Sequence, residues 1–216
     1  MVPTYHAWMQ DPEILELTAS EPLSLDEEYE MQQSWRDSED KLTFILLDQS
    51  LQSSMAGDVN IFFGQGDDPE KLYELGEIEV MVAAPESRRK GIAREAVQLM
   101  QAFAAQFLGT KQFLAKIKDE NVASQKLFES LGYVLEKHVE VFQEIHYRFH
   151  VNREDLTPIV TEELQEDHDL VLSASLPGLS APGSFTRSRA GLSMQSRRCG
   201  AWDAGFCCIS LGADVD

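Results

Sequence analysis

Cysteine is scarce in this 216-residue chain and confined to its C-terminal end. The three cysteines are Cys199, Cys207 and Cys208, and no histidine follows Ser173. One cysteine followed by a Cys-Cys pair is not the spacing of a zinc site. The long stretch before Cys199 cannot depend on disulfides, so we expect an intracellular protein without a metal site.

Positive charge and long apolar runs are also in short supply. The chain has 18 Lys and Arg against 37 Asp and Glu, a net charge of -19. This excess argues against general nucleic-acid binding and is compatible with basic substrates. No apolar run reaches the ~18 residues of a membrane helix, and the start "MVPTYHAWMQ" lacks the regions of a signal peptide. We therefore predict a cytoplasmic protein without membrane or nucleic-acid partners.

The composition changes at about Val151. Residues 1–152 show regular apolar periodicity, and 43% hydrophobic residues are enough for a core. Residues 153–172 form an acidic extension. Residues 173–216 are rich in Ser, Gly and Ala and lack periodicity, so we predict a mostly disordered tail that can be removed without loss of ligand binding.

The first segment predicts a mixed, mostly antiparallel sheet with helices on both faces. Its apolar runs and alternating patterns predict a meander of three strands at Lys41–Asp48, Asp58–Gly64 and Glu77–Val82. Two short helices around a break at Pro12 should precede a helix with a capping box at Ser24 and Glu27, whose buried side includes Leu25, Tyr29 and Trp35. A helix, a strand, a second helix and two strands should follow the meander.

The stretch "RRKGIA" is a basic segment between the third strand and the next helix. A helix start presents free backbone N–H groups and the positive end of the helix dipole. Gly91 lets a ligand approach the backbone closely, and Ala93 is nearly as small. This pattern predicts a phosphate-binding loop.

A second motif, "NVASQKLFESLGY", follows about one strand later. Together the two motifs resemble the GCN5-related N-acetyltransferase superfamily, and the wider sequence from Tyr5 to Val151 is most like its N-acetyltransferase 9 group. The matching positions in the second motif are Asn121, Ser124, Leu127, Phe128, Gly132 and Tyr133. The usual first strand of the family should be missing, because the chain starts almost at "YHAWM".

The resemblance implies acetyl-CoA as co-substrate, bound in a cleft where two neighbouring strands splay apart. It places the pyrophosphate on the basic loop and the pantetheine arm along the third strand. It implies cofactor contacts at Val80, Met81, Val82, Arg88, Arg89, Lys90, Gly91, Ile92, Ala93, Arg94, Asn121 and Phe128.

For catalysis, an amine must lose a proton and the CoA thiolate must leave. The resemblance favours Glu77 as the base, with Glu79 on the same strand face as the alternative. Phe128 stands where many relatives have a tyrosine, and its ring cannot donate a proton. Ser124 is the candidate to steady the thiolate. Lys116 stands where another branch of the family has a glutamate.

The resemblance implies transfer of acetyl to protein N-terminal α-amines, with tubulin as the named substrate. Two alternatives stay open: a small-amine or polyamine acetyltransferase, and a non-catalytic acyl-CoA-binding or scaffold protein. Candidate substrate contacts are His6, Trp8, Tyr29, Phe142, Glu144 and His146.

Overall fold

Three helices come before the first strand of the sheet. The computed structural model describes residues 1–52, 54–64, 71–152, 171–172 and 207–211. The helices are α1 (Val2–Trp8), α2 (Pro12–Thr18), α3 (Leu25–Asp37), α4 (Ile92–Phe103, continued by a π-helical turn over Ala104–Leu108) and α5 (Val122–Ser130). The strands are β1 (Lys41–Asp48), β2 (Ser54–Phe62), β3 (Leu75–Val82), β4 (Gln112–Lys118), β5 (Val134–Val139), β6 (Glu144–His150), β7 (Val171–Leu172) and β8 (Cys207–Leu211).

The capping box of α3 is present as predicted. The Ser24 backbone N–H donates to the Glu27 carboxylate at 2.8 Å, and the Glu27 N–H donates to the Ser24 hydroxyl at 3.4 Å. The predicted buried side of this helix is only partly right: Trp35 packs near Ile45, but Leu25 and Tyr29 are 39% and 42% exposed. The helix instead buries Glu28, which is 2% exposed and lies 3.8 Å from His6.

All eight strands lie in one sheet with the order β5-β6-β4-β3-β2-β1-β8-β7. Strands β1, β2 and β3 form the predicted antiparallel meander. Strand β4 runs parallel to β3, and the β5–β6 hairpin pairs with β4 in antiparallel fashion. The predicted mixed, mostly antiparallel fold is confirmed.

Strands β3 and β4 separate after three residue pairs. They are hydrogen-bonded only over Leu75↔Gln112, Gly76↔Phe113 and Glu77↔Leu114. Beyond this point residues 78–82 pair with β2 alone, and residues 115–118 pair with β6 alone. The result is the predicted splayed cleft, with Glu77 at its apex.

Strand β8 lies in the segment expected to be disordered. Cys207–Leu211 pairs in parallel with β1, from Phe44↔Cys207 to Asp48↔Leu211, and Leu211 is 1% exposed within the main core. These five residues are therefore an ordered stretch within a tail predicted to be mostly disordered. The unpaired edge of β1 offers N–H and C=O groups that a strand can satisfy, and local sequence does not reveal such a distant pairing. Residues 173–206 and 212–216 lie outside the described residues.

The two faces of the sheet differ in chemistry. One, the apolar face, packs against α4 and α5 with Phe44, Leu46, Val59, Ile61, Ile78, Phe113, Ala115, Ile117 and Tyr147. The other, the polar face, is partly covered by α1, α2 and α3. By strand alternation and cross-strand register it carries Lys41, Thr43, Asp58, Asn60, Glu77, Glu79, Lys116 and His146.

Candidate active site

The basic loop presents its backbone rather than its side chains. Gly91 has a φ of 84° and is the N-cap of α4, and a Cβ at this position would meet nothing within 4 Å. Within the described residues, the backbone N–H groups of residues 89–94 donate to no protein acceptor. Six amides without a protein acceptor next to a helix start are a candidate anion-binding cradle of the kind that a pyrophosphate would require.

Most cationic side chains of the loop already have protein partners. Arg88 donates to the carbonyls of Val82 at 3.0 Å and Ala83 at 3.2 Å. Arg94 donates to the Ser130 hydroxyl at 2.6 Å. Arg89 is exposed and has no ion pair in the part of the chain that the structure describes. Arg89 is therefore the side chain best placed to add charge to the backbone amides.

Lys90 is held by Asp48 at the end of β1. The Lys90 ammonium lies 3.0 Å from the Asp48 carboxylate and 3.0 Å from the Ser50 hydroxyl, and Ser87 donates to the same carboxylate at 2.8 Å. Burial alone raises the pKa of Asp48, but the hydrogen bonds from Ser50, Ser87 and Lys90 outweigh it and lower the pKa to about 2. Asp48 thus holds the basic loop in place through Lys90 and Ser87, a role that the sequence did not reveal.

Glu77 is paired with a lysine across the apex of the cleft. One carboxylate oxygen of Glu77, Oε2, lies 2.6 Å from Lys116 Nζ on β4, and Glu77 as a whole is 7% exposed. Lys116 is two residues beyond the last β3–β4 pair. The carboxylate of the predicted base, Glu77, is therefore already ion-paired with the Lys116 ammonium.

Glu79 lies one step further into the cleft on the same strand face. Its side chain is exposed to the open cleft, yet the protein around it reduces its solvation. This burial, together with the charge of Glu77, raises the pKa of Glu79 to about 7. The charge of Lys41 opposes this shift, and the Lys41 Nζ lies 3.2 Å from the centroid of the Trp35 ring.

Behind Glu79 the polar face buries further carboxylates. Asp58 is 2% exposed and accepts one hydrogen bond, from the Asn60 amide. Burial raises the pKa of Asp58 to about 6, although the Asn60 bond and the Lys41 charge oppose the shift. Burial also raises the pKa of Tyr5, and the charges of Asp58, Glu28 and Glu79 add to the effect. These groups are therefore electrostatic neighbours.

The predicted site residues of α5 include a helix cap, Asn121, and a core residue, Phe128. The Asn121 side chain caps α5 by accepting from the Ser124 N–H at 3.1 Å. Phe128 is 3% exposed within the core and stacks edge-on against Tyr133 at 4.9 Å between ring centroids. The Tyr133 hydroxyl accepts from Gln101 at 2.9 Å, and burial raises the pKa of Tyr133. Neither aromatic residue is suited to protonate a leaving thiolate.

The candidate substrate residues are spread around the polar face. His6 lies 3.8 Å from the Glu28 carboxylate, and Trp8 packs against the same buried cluster as Met81 of β3. Tyr29 and Phe142 are exposed. His146 is 7% exposed, and its Nε2 lies 3.5 Å from Glu144.

A sheet that splays beside an anion cradle at a helix start is the arrangement of an acyl-CoA-dependent acetyltransferase. Residues 2–134 match the family profile described as an acetyltransferase (GNAT) domain. The chain belongs to this family and is an acetyltransferase. The scaffold alternative is therefore not favoured.

Relatives with assigned names are similar over most of their length. The chain is 45% identical over 170 residues to the N-acetyltransferase 9-like protein of Nematostella vectensis, covering 74% of this chain and 84% of that protein. It is 44% identical over 153 residues to the alpha/beta-tubulin-N-acetyltransferase 9 of Drosophila melanogaster, covering 67% and 76%. The predicted resemblance to the N-acetyltransferase 9 group is confirmed.

Solved structures agree on the fold. A spermidine N-acetyltransferase from Vibrio cholerae in complex with CoA and spermine matches with a TM-score of 0.57 and 20% identity, covering 69% of this chain and 88% of that one. At this identity the match concerns the fold alone. Among the described residues, no helix has the length and apolar character needed to cross a membrane, and no group of three or more His, Cys, Asp or Glu could hold a metal ion.

Proposed function

We propose that this chain transfers acetyl from acetyl-CoA to the α-amine of a protein N-terminus, with tubulin as substrate. The observation that carries the chemistry is the β3–β4 cleft, which joins a six-amide anion cradle to two glutamates at its apex. The choice of tubulin rests on relatives named alpha/beta-tubulin-N-acetyltransferase 9 from Drosophila melanogaster and Mus musculus, each 44% identical. A tubulin substrate would place the enzyme in the cytoplasm.

The amides of residues 89–94 and the Arg89 guanidinium hold the pyrophosphate. The pantetheine arm lies along the edge of β3 at Val80, Met81 and Val82, where β4 no longer pairs with the strand, and Asn121 borders the cleft from α5. A backbone N–H near Val80 or Met81 stabilises the oxyanion. These contacts direct the thioester toward the apex.

A glutamate on β3 removes the proton from the substrate ammonium, and we favour Glu79 over Glu77. Glu77 is occupied by Lys116 at 2.6 Å, whereas Glu79 is exposed to the cleft and has a pKa of about 7. A base with a pKa near the working pH combines the right protonation state with sufficient basicity. The deprotonated amine then attacks the thioester. Ser124, to which the family resemblance assigns this role, stabilises the departing thiolate.

Replacing the base tests this assignment. Glu79→Gln keeps the shape of the side chain but cannot accept a proton, so we expect kcat to fall by roughly 10²–10⁴-fold near neutral pH. Wild-type kcat/KM should rise with pH through about 7 as Glu79 loses its proton, and the variant should lack this rise. Initial rates with an N-terminal tubulin peptide between pH 6 and 9 provide the measurement.

Glu77→Gln is the matched control for the base. It alters the same strand face and should reduce kcat less than Glu79→Gln does. If Glu77→Gln abolishes turnover while Glu79→Gln does not, the sequence-based choice of Glu77 is correct and ours is not. If neither variant slows the reaction, positioning alone accounts for catalysis.

Ligand binding can be tested apart from catalysis. At an acetyl-CoA concentration of ~100 times Kd, the free energy of unfolding should rise by roughly 2.7 kcal/mol. Gly91→Glu places bulk and negative charge in the cradle and should abolish this gain, as measured by urea unfolding with and without ligand. Gly109→Glu is the control, because Gly109 has a similar φ of 78° and equally open surroundings. A Gly91→Glu protein that is still stabilised would move the pyrophosphate site elsewhere.

A polyamine substrate is the second candidate, favoured by the carboxylates Asp58, Glu77 and Glu79 on the polar face and by Glu28 on the covering helix α3. Competition between a tubulin N-terminal peptide and spermidine in one assay separates the two. Preferential acetylation of spermidine would overturn the N-terminal assignment and leave the acetyltransferase chemistry intact.

A further inference from the structure

Lys116 places an amine in the cleft, next to the pair of glutamates on β3. Its Nζ lies 2.6 Å from Glu77 Oε2 at the apex of the cleft, and 33% of its side chain is exposed. Because β4 diverges from β3 beyond Leu114, the lysine lies on the cleft wall and not beneath a paired strand. The contact resembles a substrate ammonium seated on a catalytic carboxylate.

The path of the acetyl group leads to the same place, an argument that rests on the proposed function. The cradle lies past the Val82 end of β3, and Glu77 lies at the other end of the unpaired stretch. Five strand residues at ~3.3 Å each span roughly 16 Å. An arm extended from the cradle along β3 therefore carries its thioester into the unpaired stretch, which ends at the apex where the Lys116 amine lies.

We propose that Lys116 is a site of self-acetylation. Lys116 gives one ammonium proton to the Glu77 carboxylate, which passes it to solvent. The free Nζ attacks the thioester carbonyl carbon, so that an N–C bond forms and the C–S bond breaks. The second proton lost by the nitrogen goes to the departing thiolate, and the products are Nζ-acetyl-Lys116 and CoA with a free thiol.

Acetylation of Lys116 would change the active site that catalyses it. An acetylated Lys116 has no charge, so the ion pair with Glu77 is lost and a 7% exposed carboxylate is left without its cation. The acetyl amide would also occupy the space next to the apex. Self-acetylation therefore removes the free Lys116 amine and its ion pair with Glu77, so the reaction stops after one turnover per chain.

Lys118 is a matched control on the same strand. It lies on the same face two residues further on and is also paired with a glutamate, Glu144, at 3.1 Å, with 26% of its side chain exposed. Its partner lies on β6, away from the β3–β4 apex. Lys126 on α5 is an exposed lysine that reports ordinary chemical acetylation.

The experiment incubates the full chain with deuterium-labelled acetyl-CoA and follows each lysine by peptide mass spectrometry. We expect label on Lys116 to appear at least roughly tenfold faster than on Lys118 or Lys126, because its amine is held by Glu77 in the cleft that would carry the thioester. The rate should not depend on protein concentration, as required for a reaction within one chain. Excess unlabelled CoA should slow labelling of Lys116 and leave Lys126 unaffected.

Acetylation of a tubulin N-terminal peptide is measured in the same samples. Label on the peptide but not on Lys116 overturns the inference and leaves the proposed function standing. Label on Lys116 but not on the peptide supports the inference and removes the proposed substrate. Equal labelling of all three lysines, or labelling that CoA does not slow, identifies chemical acetylation and also overturns the inference.

Discussion

Asp48 and Asp58 are each 2% exposed and lie on opposite faces of the same sheet, yet their surroundings differ. Asp48 accepts hydrogen bonds from Ser50, Ser87 and Lys90, which together lower its pKa to about 2. Asp58 accepts one bond, from Asn60, and burial raises its pKa to about 6. Partners, and not depth alone, decide the charge of a buried carboxylate.

The contrast extends to the faces themselves. The apolar face is filled with large side chains, and its buried aspartate at the edge is fully partnered. On the polar face Asp58 Oδ1 and Glu28 Oε2 are buried without a hydrogen-bond partner. A protein keeps such groups at a cost in stability, so we infer that the apolar face maintains the fold and the polar face maintains the electrostatics of the cleft.

Truncating a large side chain on the apolar face should have the largest effect on stability. Phe113 is fully buried beneath α4 and α5, and Phe113→Ala should reduce the free energy of unfolding by about 3–5 kcal/mol. Phe142→Ala is the control, because Phe142 is 62% exposed. Urea unfolding measures both, and similar losses for the two would contradict the division between the faces.

A smaller loss is expected at the edge of the apolar face. Leu211 on β8 is 1% exposed in the core, so Leu211→Ala should cost about 2–3 kcal/mol. Leu135→Ala is the control, because Leu135 on β5 is 57% exposed. The sequence predicted that the tail is dispensable for ligand binding, and an unchanged unfolding midpoint for Leu211→Ala would mean that β8 contributes little to stability as well.

On the polar face one substitution should increase stability. Asp58 has a folded-state pKa of about 6, above its unfolded value, so its charge opposes folding at higher pH. Asp58→Asn keeps an acceptor for Asn60 and should raise the free energy of unfolding by about 1–3 kcal/mol at pH 8. The gain should shrink as pH falls through 6 and vanish below the unfolded-state pKa of ~3.9, where Asp58 is protonated in both states.

Asp48→Asn is the opposite case on the other face. It removes the charge that Lys90 and the two serines stabilise, so it should reduce stability at pH 8 by an amount that unfolding measurements can compare with Asp58→Asn. Equal effects at the two positions would mean that the faces do not differ as we describe.

Local signals explain which elements the sequence could predict. The bounds of β1 follow from its apolar run, the start of α3 from the Ser24 capping box, and the start of α4 from Gly91. Each signal acts within one turn or one strand. The alternation of Glu77 and Glu79 on β3 likewise predicted that the two glutamates share a face.

The features that the sequence did not reveal all depend on contacts between distant segments. Lys90 meets Asp48, and Lys116 meets Glu77, only because the sheet order brings their strands together. Asp58 resembles an ordinary surface residue near a loop until the register with Met81 and Ile45 places it under the helices. Such contacts have no periodicity for a local pattern to detect.

Strand β8 also has a consequence for how the chain is made. Ribosomes deliver β1 early and Cys207–Leu211 after every other described element, so the β1 edge has no parallel partner while most of the nascent chain emerges. An open edge can pair with strands of other molecules during that interval. During synthesis of this chain, a chaperone at the β1 edge or rapid completion of translation would therefore protect the nascent chain from such pairing.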